Sequence, residues 1–173
     1  MDGRSQDAME LSGIHDLEIR QQYPDAIDAL EERLRIHPSE AETVIRLGFN
    51  LWYAVAEDLR LGLSLPVEEY AVRFMALLRH YESKFRDNAD FCWAYGTGLS
   101  LFWFYFPLGT EEEGDRLLAR AASLSPMWGA LHTTASQEKL CQHCAGRGIF
   151  ASYYCEANEE PGVPPVPPAS TLH

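Results

Sequence analysis

With 173 residues and 46% hydrophobic content, the chain can bury the core of one domain and is too apolar to be disordered throughout. Its 26 acidic residues against 14 basic ones leave a net charge of −12, which speaks against nucleic acid and anionic membrane as ligands. An acidic surface of this kind favours solubility or a basic protein partner.

Met1-Asp2-Gly3-Arg4 leads into a polar, acidic stretch with no apolar segment of the signal-peptide type. The four cysteines, Cys92, Cys141, Cys144 and Cys155, then read as reduced thiols, and the expected location is cytoplasmic.

In chain order, Ser5 to Gln21 is weakly amphipathic, with Leu11, Ile14 and Leu17 on one side. Pro24 stands in a first helical turn, opening a helix to about Ile36 with Ala26, Ile27, Leu30 and Leu34 inward. Ser39 with Glu42 has the spacing of a capping box before a long helix through Val44, Leu47, Leu51 and Val55. Pro66 opens the next, with Tyr70, Phe74, Leu77 or Leu78, and Tyr81 as its buried stripe.

Asp87-Asn88 separates that helix from an apolar one over roughly Ala89 to Phe106. The run from Phe91 to Gly109 carries no charge and is as long as a membrane span, but acids flank it and small polar residues interrupt it. It reads as the central helix of a bundle. Thr110 with Glu113 is a second capping box, for a helix ending near Leu124. Ser125-Pro126 starts further helix to about Asn158, broken near Gly146-Arg147-Gly148. Period-two runs and Asn-Gly hairpin turns are missing, so the expected fold is all-α: one domain over 1–158 and a disordered, proline-rich tail over 159–173.

A spacing occurs twice within this pattern. Ala26, Leu30 and Pro38 stand at intervals of four and eight, followed by Leu47-Gly48; Gly114, Leu118 and Pro126 repeat the intervals, with Ala121 in place. Cys92-Trp93-Ala94-Tyr95-Gly96, then Leu99, has the layout of a first helix, with Tyr95-Gly96 standing where Leu47-Gly48 does. Over residues 24–155 the chain resembles the tetratricopeptide repeat, with units that depart from the usual length. The resemblance implies three to four stacked antiparallel helical hairpins in a right-handed superhelix. Glycine at positions 48 and 96 has a physical reason: two helices approach closely only where one lacks a side chain.

Candidate sites are few. Cys141-Gln142-His143-Cys144 and Cys155 offer zinc-type ligands, with His143 or His132 as the fourth, but lack the second half of a zinc motif. They read as small apolar thiols, and no metal or cofactor is expected. Nucleophile elbows, metalloprotease helices and phosphate loops are missing from the sequence, so no catalytic residue is assigned. What remains is a set of acidic ridges, Glu57-Asp58, Glu68-Glu69 and Glu111-Glu112-Glu113 with Asp115, around the ring-bearing Trp93, Trp103, Tyr105 and Trp128. Acids in such positions steer a basic partner, and rigid rings anchor it.

The expected function is therefore non-catalytic protein binding, specifically an immunity or antitoxin protein that inhibits a basic bacterial toxin. The stretch from Gly146 to Tyr154 is similar to endings of such immunity proteins. The alternative is a scaffold or secretion chaperone holding a peptide in the repeat groove; Arg46, nearly alone on its helix, gives poor support for a carboxylate clamp. Self-association into a homodimer is left open, and an enzyme using zinc at the cysteine cluster is the third class.

Overall fold

The computed structural model describes residues 9–129, 134–150 and 153, and every element in them is helical. The order is α1 (Leu11–Ile19), α2 (Tyr23–Ile36), α3 (Ala41–Leu61), α4 (Val67–Phe85), α5 (Ala89–Phe102), α6 (Glu111–Leu124), α7 (Pro126–Gly129) and α8 (Thr134–Cys144). A 3-10 turn, Trp103–Tyr105, follows α5 directly. The expected tail from Glu159 and the end of the last helix near Asn158 lie outside the described residues.

Helix α3 is the centre. Every residue from Thr43 to Trp52 is buried, which a helix packed on one side only would not show. It meets α2, α4 and α5, while α5 packs most extensively on α6. Tyr95 of α5 donates its hydroxyl to the Val44 carbonyl at 3.0 Å, and Phe102 stacks on Trp52 at 6.0 Å between ring centroids. Helices α3 and α5 therefore run in the same direction. Helix α4 runs against them, since Tyr81 near its end donates to Pro38 at 3.1 Å and Lys84 reaches Ser39. The ion pairs Arg79–Glu113, Arg116–Glu82 and Arg120–Asp87 align α6 with α4. The ends of α3 and α5 therefore point toward one end of the bundle, and α6 starts beside Arg79, in the second half of α4.

The close helix crossings rest on glycine. A Cβ at Gly48 would overlap the Tyr95 ring, and one at Gly114 would stand 2.8 Å from the Ser100 Cα. At Gly96 the neighbour is Leu118 of α6, at 3.0 Å. Each proximity replaces a side chain with the partner helix, which maximises dispersion contact.

Several boundaries differ from the sequence reading. Helix α3 begins after Glu40, with no side-chain cap; Ser39 is taken by Lys84 and Glu42 by Arg147. Glu40 instead accepts both arms of Arg33, at 2.5 and 2.7 Å, tying α2 to the next turn. Helix α5 stops at Phe102, not Phe106. Pro107 disfavours helical backbone at Phe106, which is extended and returns its ring to Phe74 at 4.4 Å. Thr110 caps α6 as its spacing indicates, accepting from the Glu113 amide at 3.1 Å. Among the described residues, no helix is long and apolar enough to cross a membrane.

On α1 the inward side is not purely apolar. Glu18 is fully buried beside Ile14, where it accepts from Arg46, itself buried, and from Asn50 at 2.5 Å. Burial is the largest influence on this carboxyl and pushes it above the ordinary glutamate value, against the pull of Arg46 and Asn50.

Candidate functional site

The pole where α3 and α5 end carries apolar side chains that the fold leaves in solvent. The 3-10 turn holds Trp103 at 42% exposure and Phe104 at 60%, with Tyr105 at 40%, although each ring has a neighbour. Phe104 lies 4.6 Å from Tyr105 and 5.9 Å from Trp103 between centroids, so the rings brace one another without being covered. Leu108, in a left-handed backbone conformation (φ +62), is 93% exposed. Left-handed backbone at a branched residue costs about 1–2 kcal/mol. Leu59, Leu61 and Leu63, where α3 runs out, are also exposed at this pole.

Exposed acids follow these rings along the chain. Glu111 and Glu112 are exposed in the first turn of α6, where the helix dipole favours them, and neither has an ion-pair partner among the described residues. Asp115 is exposed one turn on and accepts from Ser100 at 2.9 Å. Glu113 points the other way, to Arg79 on α4. Glu68 and Glu69 open α4, both exposed, with Glu69 bound to Arg73, which also reaches Glu31 of α2. Trp103 and Tyr105 thus lie in the connection that leads from α5 into Glu111, Glu112 and Asp115, whereas Arg73 ties Glu69 toward Glu31 of α2.

The remaining expected contact residues are elsewhere or covered. Glu57 is buried and holds Arg60 at 2.6 Å, and Asp58 is half-buried and accepts from the Leu65 amide at 2.8 Å. That ridge is thus not an exposed acidic face: Glu57 is held within α3 by Arg60, and Asp58 fastens the α3–α4 connection. Trp128 is buried, donating Nε1–H to Asp90 at 2.9 Å, and Trp93 stacks on it at 4.7 Å. The apolar area of Trp128 is used within the fold, while Trp93 stays half-buried on its outer side.

Around Trp128 the sequence reading missed a polar cluster. Asp90 accepts from Arg147 at 2.8 Å and meets His143 Nε2 at 2.8 Å, while Arg147 also takes both oxygens of Glu42, at 2.9 and 2.7 Å. Burial pushes the Asp90 carboxyl up, but Arg147 and His143 outweigh it and hold the group below the ordinary aspartate value. No local spacing could reveal this cluster, because its members are separated by up to 105 positions.

Of the zinc-type residues, Cys144 is buried and Cys141 half-buried, His143 faces Asp90, and Cys155 lies outside the described residues. Among the described residues, no group of three or more His, Cys, Asp or Glu is placed to hold a metal ion. A cleft of about 680 Å³ between α4 and α6 has Cys92 at its base and Arg79, Arg86, Arg116 and Arg120 along its walls. Burial pushes the Cys92 thiol up to about 11, which keeps it protonated and unreactive at neutral pH. Three of the arginines cross to carboxylates on the facing helix or its edge, so the walls are a lattice of ion pairs.

Compared with protein families, with curated proteins and with solved structures, the chain matches none.

Proposed function

We propose that this chain is a non-catalytic protein-binding module whose contact surface is the aromatic pole. The observation that carries this reading is the exposed run Trp103-Phe104-Tyr105 with Leu108, followed at once in the chain by the exposed acids Glu111 and Glu112. Exposed large apolar side chains that are clustered and rimmed by charge mark interaction sites. Carboxylates in that rim favour a basic partner, and a net charge of −12 adds long-range steering. Within this class we favour an immunity or antitoxin protein that acts in the cytoplasm by covering a basic toxin domain's active site or substrate path.

The same proposal includes a tetratricopeptide-like stacking of hairpins α1–α2, α3–α4 and α5–α6. The parallel course of α3 and α5 and the glycine contacts at positions 48, 96 and 114 support it. The peptide-chaperone alternative is weaker. Arg46, the one base on the inner turns of α3, is buried against Glu18 and does not offer a clamp for a terminal carboxylate.

Co-expression tests the reading. The wild-type chain rescues cells from the product of the adjacent gene, and Trp103→Ala with Phe104→Ala removes the rescue while leaving the helical spectrum intact. Each such truncation costs about 2 kcal/mol or more in affinity, mostly through faster dissociation. Reversing Glu111 and Glu112 to Lys slows association and flattens its salt dependence. Full rescue by the doubly truncated variant rules out this pole as the contact surface.

A further inference from the structure

The opposite pole, where α3 and α5 begin, grips a short stretch of this chain in a way that reads as sequence-specific recognition. Arg147 is held by two carboxylates on two different helices, Glu42 of α3 at 2.7 and 2.9 Å and Asp90 of α5 at 2.8 Å. Its side chain is only 15% exposed there, and its guanidinium stacks over Phe150 at 4.7 Å. Gly148, in the left-handed region at φ +64, donates its amide to His15 Nδ1 of α1 at 2.8 Å. Any Cβ at that position would overlap the carboxylate of the buried Glu18. Ile149 is buried, and Phe150 sits edge-on between Phe49 at 5.1 Å and Trp128 at 5.6 Å.

Each position of Arg147-Gly148-Ile149-Phe150 is therefore read by a different chemistry: a paired carboxylate clamp, a space that admits only hydrogen, apolar cover, and an aromatic slot. Bidentate capture of a guanidinium between two carboxylates is specific for arginine over lysine.

We propose that the face built by α1, α3 and α5 is a recognition site for an Arg-Gly-apolar-Phe segment, occupied here by the chain's own residues 147–150 and open to the same segment supplied by another protein. The chemistry of the occupant is fixed by what the site already holds: one positive charge against Glu42 and Asp90, no side chain against Glu18, and an aromatic ring three residues after the arginine. Occupancy in cis sets the threshold. An incoming segment binds with an affinity reduced by the fraction of molecules whose site is vacant.

The test uses the full chain and a labelled peptide of residues 143–154. In the Arg147→Ala/Phe150→Ala chain, which vacates the clamp and the slot, the peptide is expected to bind at least ten-fold tighter than to the wild-type chain. Peptides with Glu for Arg147 or with Leu for Gly148 lose at least ten-fold of that binding. A folded variant that binds the peptide no better than wild type, or that takes up the Glu peptide equally well, overturns the proposal. If the double variant does not hold its helical spectrum, Arg147→Gln takes its place; it vacates only the clamp, so the peptide is expected to bind tighter than to the wild-type chain by a smaller factor, and no gain over wild type overturns the proposal. None of these readouts depends on the aromatic pole, so this inference and the proposed function fail separately.

Discussion

Replacing Glu18 by Leu isolates the energetics of the buried charge beneath α1. Glu18 is fully buried and Arg46 is 2% exposed, so removing the carboxylate leaves a guanidinium with little besides the Leu11 carbonyl at 3.2 Å. Asn50 loses one acceptor and keeps the Arg46 carbonyl at 2.8 Å. Breaking a buried pair from one side costs about 3–5 kcal/mol, because the partner charge cannot be resolvated. For a domain of this size that is a fall of roughly 6–20 °C in Tm, at about 2–4 °C per kcal/mol. The companion double variant, Glu18→Leu with Arg46→Met, removes both desolvation penalties and returns to within about 1–2 kcal/mol of wild type. Urea titrations followed by circular dichroism at pH 7 supply both values. A single variant within about 1 kcal/mol of wild type, or a double variant worse than the single, refutes the reasoning.

Gly114→Ala forces a Cβ against the α5 backbone at Ser100 and lowers stability by about 1–3 kcal/mol, read from the same titration; a neutral result means α5 and α6 do not cross there as described. Asp90 is held below its ordinary value of 3.8, so its contribution is present above that pH and is lost as pH falls through the depressed folded value. The gap in Tm between wild type and Asp90→Asn therefore persists at pH 5 and closes only below about pH 3.8. A gap that closes by pH 5 shows that Arg147 does not stabilise the carboxylate.

Sequence alone reached the helices because their signals are local. The α6 cap is set by Thr110 and the Glu113 amide three residues away, and the α4 stripe Tyr70, Phe74, Leu78 and Tyr81 follows directly from helical period. Gly48 and Gly96 were legible as close approaches because a glycine inside an apolar helix has few other uses. The errors share a cause as well. Ser39 and Glu42 satisfy the capping pattern, yet Lys84 and Arg147, 45 and 105 positions away, claim their side chains. Trp128 and Glu57 have the composition of surface anchors and acids, and only tertiary packing decides that both are buried. In the candidate site, Trp103, Tyr105, Glu111 and Glu112 were found because charge and aromatic content are visible in a string. The Arg147 clamp was not, since its carboxylates come from two separate helices and the arginine from a distant turn.

The aromatic pole also decides how this molecule behaves in a tube. Its isoelectric point is near 4.8, and approaching that pH strips the whole surface of the repulsion that keeps copies apart. Colloidal failure then begins where solvent already touches hydrocarbon, at Trp103, Phe104 and Leu108, with no unfolding required. Acidic storage would turn a contact surface into a site of precipitation, and a polar residue in place of Leu108 is the least intrusive remedy.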